Sequence, residues 1–255
     1  MENSTAPEIV MEMSGVTLAS PTLRRRSPVT GLNWRIDRGD FWVVTTTQHA
    51  GQRELLFTAS GLQKPEAGKV VIFGHDTLDL GESRWFKERL QIGIVFEQGG
   101  RVLGGMTVAE NVSLALRYHR NCGFGDVENA VLQILEATEL LPYAASTPGA
   151  MSSSWQQRVA LARALALRPQ LVFFERPLAH LEWQHRNWWM SFIPRLGEGK
   201  IFPDLGPVTL VVITDDANPW SGAARQFAVL HRQEWRIVEG APDLDPAGWI
   251  EEPTE

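Results

Sequence analysis

The sequence predicts an α/β fold, and two features of the chain carry this prediction. Short apolar runs at 41–44, 171–174 and 208–213 have the composition of parallel strands that are covered on both faces. Between such runs, segments like 126–141 repeat apolar residues at helical spacing. A chain of 255 residues is long enough for one such domain.

The bulk composition excludes several functions. A net charge of −6 argues against general affinity for nucleic acid. The basic cluster Arg24–Arg26 is interpreted as a solvated loop, with a phosphate or anionic-lipid contact as the alternative. No window approaches the ~20 apolar residues of a membrane span, and the first residues lack the pattern of a signal peptide. We therefore expect a soluble cytoplasmic protein, and the single Cys122 fits a reducing compartment.

The first third of the chain reads as strands. Residues 8–44 alternate in polarity around a turn at Arg38–Asp40, which predicts an antiparallel β-layer followed by a central strand at Phe41–Val44. A loop and a helix follow, and Gly68 and Gly74 mark the turns of a hairpin.

The middle of the chain alternates between helices and strands. We predict a helix at 84–90, a strand at 91–98 and a helix that begins with a capping box of Thr107 and Glu110. An amphipathic helix begins at Asp126 and is closed by Pro142. A metal site of Cys122 with His119 lacks a third ligand nearby, so we expect none.

The stretch 151–182 has the most specific pattern. Ser153 and Gln156 have capping-box spacing at the start of a helix that Pro169 stops. A buried strand then ends at Glu175, and ligands of open α/β sheets bind at that end of a strand. A helix at 183–200 is expected to break at Pro194, and a short inserted loop, a strand at 208–214 and a closing hairpin follow.

The segments QQRVALARALALRPQL, VFEQGGRVLGGMTVAENVSLAL and LLFTASGLQKPEAGKVVIFGHD resemble motifs of ABC-transporter ATPase subunits, nearest to the lipid-transport group that works with MCE-type proteins. The resemblance covers residues 9–240 and implies the ABC ATPase fold. This fold has a P-loop NTPase-like core sheet, an N-terminal antiparallel β-layer and an α-helical subdomain. We expect one domain at 8–240, its helical subdomain at about 99–165, and tails at 1–7 and 241–255.

The resemblance also assigns the nucleotide-binding positions, where this sequence departs from the family. The P-loop glycine is replaced by Thr46, its lysine by Gln52 and its hydroxyl residue by Arg53, and Glu54 adds a carboxylate. No aromatic residue lies near Ser20, where the family stacks one on adenine. The assigned nucleotide positions are Thr46, Gln48, Gly51, Gln52, Arg53, Glu54 and Glu97, the last replacing a glutamine that reaches Mg²⁺.

The catalytic and signature positions differ as well. Glu175 stands for the Mg²⁺-linked aspartate, Arg176 for the general-base glutamate and Asp215 for the histidine that contacts the γ-phosphate. A cation cannot take a proton from water, so we expect no catalytic residue and only Glu175 as a candidate Mg²⁺ ligand. The signature positions are Ser152, Ser153, Ser154 and Trp155, with serines replacing two glycines and Trp155 a glutamine.

These resemblances predict an ATP-binding-cassette subunit of a membrane transport complex with degenerate ATPase motifs. Its cofactors would be ATP and Mg²⁺, with weakened binding. Its partners would be a second ATPase subunit, identical or different, and a transmembrane permease that holds it at the inner face of the membrane. Two alternatives stay open: an active ATPase with an atypical pocket formed by Arg53 and Glu175, and an interaction protein outside transport.

Overall fold

The computed structural model describes residues 8–19, 28–46, 51–79, 81–100, 102–120 and 124–239. They divide between two compact units: Met1–Glu88 with Thr209–Glu255, called here the β-rich unit, and Arg89–Val208, called the helix-rich unit. In chain order the elements are β1 (Ile9–Thr17), β2 (Leu32–Asp37), β3 (Phe41–Thr46), α1 (Gln52–Ala59), β4 (Ala67–Ile72), β5 (His75–Asp76), α2 (Glu82–Arg89), β6 (Ile92–Val95), α3 (Val108–Arg120), α4 (Phe124–Ala137), α5 (Ser153–Leu165), β7 (Leu171–Glu175), α6 (Trp183–Gly197), β8 (Thr209–Thr214), β9 (Gln226–His231) and β10 (Glu234–Val238).

The β-rich unit contains the predicted antiparallel layer, with strand order β2-β1-β4-β5. Along β2, Leu32, Trp34 and Ile36 are buried and the residues between them are exposed, as expected of a sheet with one solvent-exposed face. The turn predicted at Arg38–Asp40 is present, because the Asp40 amide donates to the Asp37 carbonyl.

The same unit contains the first central strand. Strand β3 lies between β8 and β9 and runs parallel to both, while β10 pairs antiparallel with β9. Every residue of β3 and β8 is buried. This burial confirms the prediction from their continuous apolar composition. Helix α1 is the next element after β3, so its N-terminus lies at the carboxyl end of a buried parallel strand.

The helix-rich unit pairs β6 with β7 in parallel, from Ile92 opposite Leu171 to Val95 opposite Phe174. Helix α5 feeds β7 through a short turn and packs against β6, α3 and α4. Phe173, Phe174 and Trp189 are fully buried in this unit. The strand predicted at Leu171–Phe174 is therefore confirmed, with Glu175 as its last residue.

Two helix boundaries and one cap differ from prediction. Helix α4 begins at Phe124 rather than Asp126 and ends at Ala137, before Pro142. Helix α6 does not break at Pro194 but continues to Gly197. Only the last turn of the helix lies beyond the proline, so the missing N–H removes a backbone hydrogen bond near the helix end and not in its middle. The cap residue of α5 is Ser152, so the capping box expected of Ser153 and Gln156 is wrong.

The ten tryptophans are not all core residues, as the sequence indicates. Trp34, Trp42, Trp189 and Trp220 are buried, whereas Trp183 is 69% exposed. Within the described residues, no helix is both long enough and apolar enough to cross a membrane.

Candidate functional site

The predicted phosphate-binding loop leads from β3 into α1, and its centre, including Gln48, lies outside the described residues. Gly51 precedes the helix in a left-handed conformation, with a φ of 82°. The first helical residue is Gln52, at the position where the family places its lysine. The strand-loop-helix context of a P-loop is thus present in the β-rich unit.

The Gln52 side chain folds back into the protein. The Thr46 hydroxyl donates to Gln52 Oε1 over 3.1 Å, and the two residues are 1% and 4% exposed. In the family, a lysine at this position would carry the charge that balances the phosphates. Here the position holds a neutral amide that accepts a hydrogen bond from the preceding strand, β3.

The next two residues of α1 carry opposite charges. The exposed Arg53 side chain places its guanidinium 5.9 Å from the centre of the Phe57 ring, one turn further along. Half-buried Glu54 lies in the first turn. A carboxylate there is favoured by the helix dipole, so it competes with an incoming phosphate for the same partial charge.

Asp215 and Asp216 follow Thr214, the last residue of β8, in a tight turn. The Asp216 amide donates to the Thr214 hydroxyl oxygen over 3.2 Å, and the Asn218 amide donates to the Asp216 carboxylate over 3.0 Å. Asp215 and Asp216 are both exposed. Asp215 thus presents a carboxylate, where the family has a histidine.

In the helix-rich unit, the structure brings Glu97, Glu175 and Arg176 together. Arg176 Nη1 lies 3.3 Å from both carboxylate oxygens of Glu97, and the side chains are 18% and 24% exposed. The Glu97 amide donates to Glu175 Oε2 over 3.4 Å. Two residues that replace a neutral glutamine and an acidic base therefore form an ion pair with each other.

A histidine extends this pair towards solvent. His180 Nε2 lies 3.3 Å from Glu97 Oε1, and the His180 side chain is 65% exposed. The sequence did not single out His180. Arg176 and His180 lie 79 and 83 residues after Glu97 in the chain, and only the fold brings them close to it. Gln98 is exposed in a left-handed conformation with a φ of 56°, and Glu97 makes the contacts instead.

The signature helix begins with polar side chains that do not cap it. Ser152 has an extended conformation at the cap position and makes no side-chain bond to the helix. Instead, Gln156 Nε2 donates to the Met151 carbonyl over 3.0 Å. Ser153 is exposed, whereas Ser154 is 4% exposed.

Trp155 belongs to an aromatic cluster around Arg158. The Arg158 guanidinium lies 4.7 Å from the Trp155 ring centre and 3.9 Å from that of Trp188. His185 meets Trp155 edge to face at 5.0 Å. Burial lowers the pKa of Arg158 below its ordinary value, and the hydrogen bond to Glu139 opposes this effect.

Glu175 is the residue that the sequence offers as a candidate Mg²⁺ ligand. In the part of the chain that the structure describes, no three His, Cys, Asp or Glu side chains are grouped as a metal site. Glu175, 7% exposed at the end of β7, occupies the position of the family's Mg²⁺-linked aspartate.

The fold and these motif positions define the class of protein. The family described as ABC transporter matches residues 29–179, so the chain belongs to the ABC transporter family and contains its ATP-binding domain. Its relatives serve different transport systems. The chain is 28% identical over 237 residues to the methionine import ATP-binding protein MetN of Lactobacillus acidophilus, covering 90% of this chain and 64% of that protein.

Two other relatives are matched over more of their length. The lipoprotein-releasing system ATP-binding protein LolD 1 of Chlorobium chlorochromatii is 29% identical, with 82% of each chain covered. The intermembrane phospholipid transport system ATP-binding protein MlaF of Haemophilus influenzae is 29% identical over 83% of this chain and 77% of its own. The chain thus spans less than two thirds of its methionine-import relative and over three quarters of these two.

Solved structures confirm the fold. The dimeric ATP-binding cassette MJ0796, in a post-hydrolysis state bound to ADP and Pi, superposes with a TM-score of 0.77 at 26% identity, covering 90% of this chain and 98% of that one. The protein cbiO1 from Clostridium perfringens, part of the ABC transporter complex cbiONQ, has the same fold at 19% identity and a TM-score of 0.77, with 94% of this chain and 91% of that one covered.

Proposed function

We propose that this chain is a catalytically impaired ATP-binding-cassette subunit of a membrane transport complex. It would pair with an active ATPase subunit and dock a permease, acting as a structural or regulatory partner. One observation carries the proposal: the residue at the general-base position is Arg176, and it is ion-paired with Glu97.

The Arg176 side chain cannot perform the step that this position performs in the family. A general base accepts a proton from the attacking water, and a guanidinium stays protonated throughout the accessible pH range. The carboxylate of Glu97, 3.3 Å away, is engaged by the same guanidinium. The residue at the general-base position therefore does not accept the proton.

The phosphate-binding half supports the same conclusion independently. Gln52 is buried against Thr46, and Glu54 and Asp215 add carboxylates at family positions that meet phosphate. Phosphate recognition depends on backbone amides together with positive charge. Arg53 is the cation at the assigned positions of α1, and we propose that it does not replace the lysine, so that Mg-ATP binding is weak.

Partners and location follow from the family. The relatives named above act in import, lipoprotein release and intermembrane phospholipid transport. We propose that this chain likewise reaches the inner face of a membrane through a permease, and that its system belongs to the lipid-transport group. In a two-subunit arrangement, one composite site would contain this P-loop and the other this serine-rich signature.

The proposal is tested by measuring ATP hydrolysis with the purified full-length chain and with Glu175→Ala as the matched control. We expect no hydrolysis by the native chain above the rate of the Glu175→Ala variant. Magnesium-dependent hydrolysis that Glu175→Ala abolishes would overturn the proposal.

An active enzyme with an atypical pocket is the second candidate, and buried Glu175 favours it because a carboxylate is kept at the Mg²⁺ position. Calorimetry with millimolar Mg-ATP separates the two candidates. Binding that is lost in Arg53→Gln would support the atypical pocket. Absence of heat with the native chain would exclude it.

A further inference from the structure

A cavity of about 570 Å³ lies within the helix-rich unit, apart from the motif positions described above. This volume is within the range of small-molecule sites. Its exposed lining residues, such as Gln133 and Asp204, indicate that it opens to solvent. The lining residues are Gln133, Glu136, Ala137, Arg168, Ile201, Phe202, Pro203 and Asp204.

One wall is the loop 198–207, which follows α6 and which the sequence suggests is an insertion. Its two ends are held together: the Val208 amide donates to the Gly197 carbonyl over 3.2 Å. Gly199 has a φ of 73°, and a Cβ there would lie 2.6 Å from the Gly206 backbone. The tip is closed by a bond from the Leu205 amide to the Phe202 carbonyl. The cavity wall is therefore a fixed turn.

A positioned guanidinium packs against this loop. Arg168 lies 3.9 Å from the centre of the Phe202 ring, and its Nη2 donates to Gln133 Oε1 over 2.7 Å. Phe202 is only 5% exposed, so the stacking surface is itself fixed. A planar guanidinium held in this way is oriented before a carboxylate or phosphate arrives.

Two carboxylates line the same cavity. Glu136 lies one turn after Gln133 on the same face of α4, and Asp204 lies at the tip of the loop. A simple anion would be repelled by these carboxylates, and a simple cation would be repelled by Arg168. A ligand with one charge of each sign can pair with the guanidinium and with the carboxylates.

We propose that this cavity binds a small zwitterion, with its anionic group on Arg168 and its cationic group between Glu136 and Asp204. Ile201, Phe202 and Pro203 supply apolar surface for the part of the ligand between the charges. Free α-amino acids and phosphoethanolamine carry this chemistry. The site goes beyond the proposed transport role, because none of its residues is a nucleotide or signature position.

The test is ligand-observed NMR with the full chain, using the twenty L-amino acids and phosphoethanolamine as separate probes at millimolar concentration. We expect one or more probes to bind. Whether the hit is a carboxylate or a phosphate zwitterion distinguishes the two sources. The N-acetyl derivative of the hit lacks the cation. The methyl ester of an amino acid, or ethanolamine in place of phosphoethanolamine, lacks the anion. Each is expected to bind at least ten-fold more weakly.

The variants assign the binding to this cavity. Glu136→Gln combined with Asp204→Asn changes two exposed side chains and is expected to weaken binding at least ten-fold. Arg168→Lys keeps the charge but loses the planar stack, and we expect a similar loss. Glu128→Gln, also exposed on α4 but outside the cavity, is the matched control. Failure of every probe to bind, or affinity unchanged in both variants, overturns the proposal, and neither result depends on nucleotide.

Discussion

The Arg158 guanidinium contacts both the Trp155 and the Trp188 ring, and its side chain is 5% exposed. Its ion pair with Glu139 spans 2.9 Å at the edge of this cluster. A buried guanidinium with a single carboxylate partner raises the local positive potential. His185, which meets Trp155 edge to face, feels this charge.

Protonation of His185 is expected to destabilise the fold. Burial, and then the charge of Arg158, lower the pKa of His185 below its ordinary value of 6.5, while Glu182 and Glu139 oppose the shift. The unfolded chain therefore binds the proton more tightly than the native chain does. The stabilising contribution is complete above pH 6.5 and is lost as the pH falls from there through the lowered pKa.

Urea unfolding at about pH 7.5 and about pH 5.5 measures this effect. The native chain is expected to lose more free energy of unfolding on acidification than His185→Gln, which has no group to protonate at that position. An equal loss in both proteins would contradict the assignment.

Individual residues show where sequence reasoning ends. The motif frame located Glu97, Glu175 and Arg176 as altered positions, but only the fold shows that Arg176 contacts Glu97. Helix spacing likewise does not reveal that Trp188 covers Arg158, since the two lie on different helices. Residue identity shows where this chain departs from the family, and tertiary contact shows which side chains then meet.

Among the elements, α3 has the clearest local determinant. The Thr107 hydroxyl accepts from the Glu110 amide over 3.2 Å, and the Glu110 carboxylate accepts from the Thr107 amide over 2.7 Å. The predicted capping box is thus confirmed. The bond from the Thr107 amide, and then a second bond of 2.9 Å that the Thr107 hydroxyl donates to the same carboxylate, lower the pKa of Glu110.

Thr107→Ala is expected to reduce the free energy of unfolding by about 1 kcal/mol, because an amide of the first turn loses its acceptor. Thr107→Ser keeps the acceptor and should behave nearly as the native chain does. Chemical denaturation of the three proteins checks the prediction. Equal stability of the alanine and serine variants would show that the cap contributes nothing.

The same pattern failed at α5, where Ser153 and Gln156 have the right spacing. Gln156 instead bonds to the Met151 carbonyl, because the helix begins one residue beyond Ser152. Spacing alone does not fix which residue is the cap. The strands were predicted better. Every residue of β3, β7 and β8 is buried, and such strands appear in the sequence as short, mostly apolar runs.

For the whole molecule, the altered P-loop and signature predict that this chain does not form a homodimer when nucleotide is added. Light scattering in millimolar Mg-ATP should report the same mass as without nucleotide. A family cassette with intact motifs, carrying an alanine at its general base, is the positive control. A nucleotide-dependent homodimer of this chain would contradict the proposed impairment.

The family and the α/β architecture could be predicted from sequence, because the spacing of the apolar and turn residues matches the family even where the polar residues differ from it. The bounds of the helix-rich unit, Arg89–Val208, could not be read from sequence, since they depend on which segments pack together. The cavity beside Arg168 was also missed, because its walls come from three separate stretches of chain.

The Glu97–Arg176 pair couples two positions that would otherwise vary separately. Arg176→Glu alone would set a new carboxylate against that of Glu97, and Glu97→Gln alone would remove the countercharge of a guanidinium that is 18% exposed. Each single substitution therefore meets a local penalty that the second substitution relieves. A sequence that changes one residue at a time would tend to keep the pair, so the two positions are linked by epistasis.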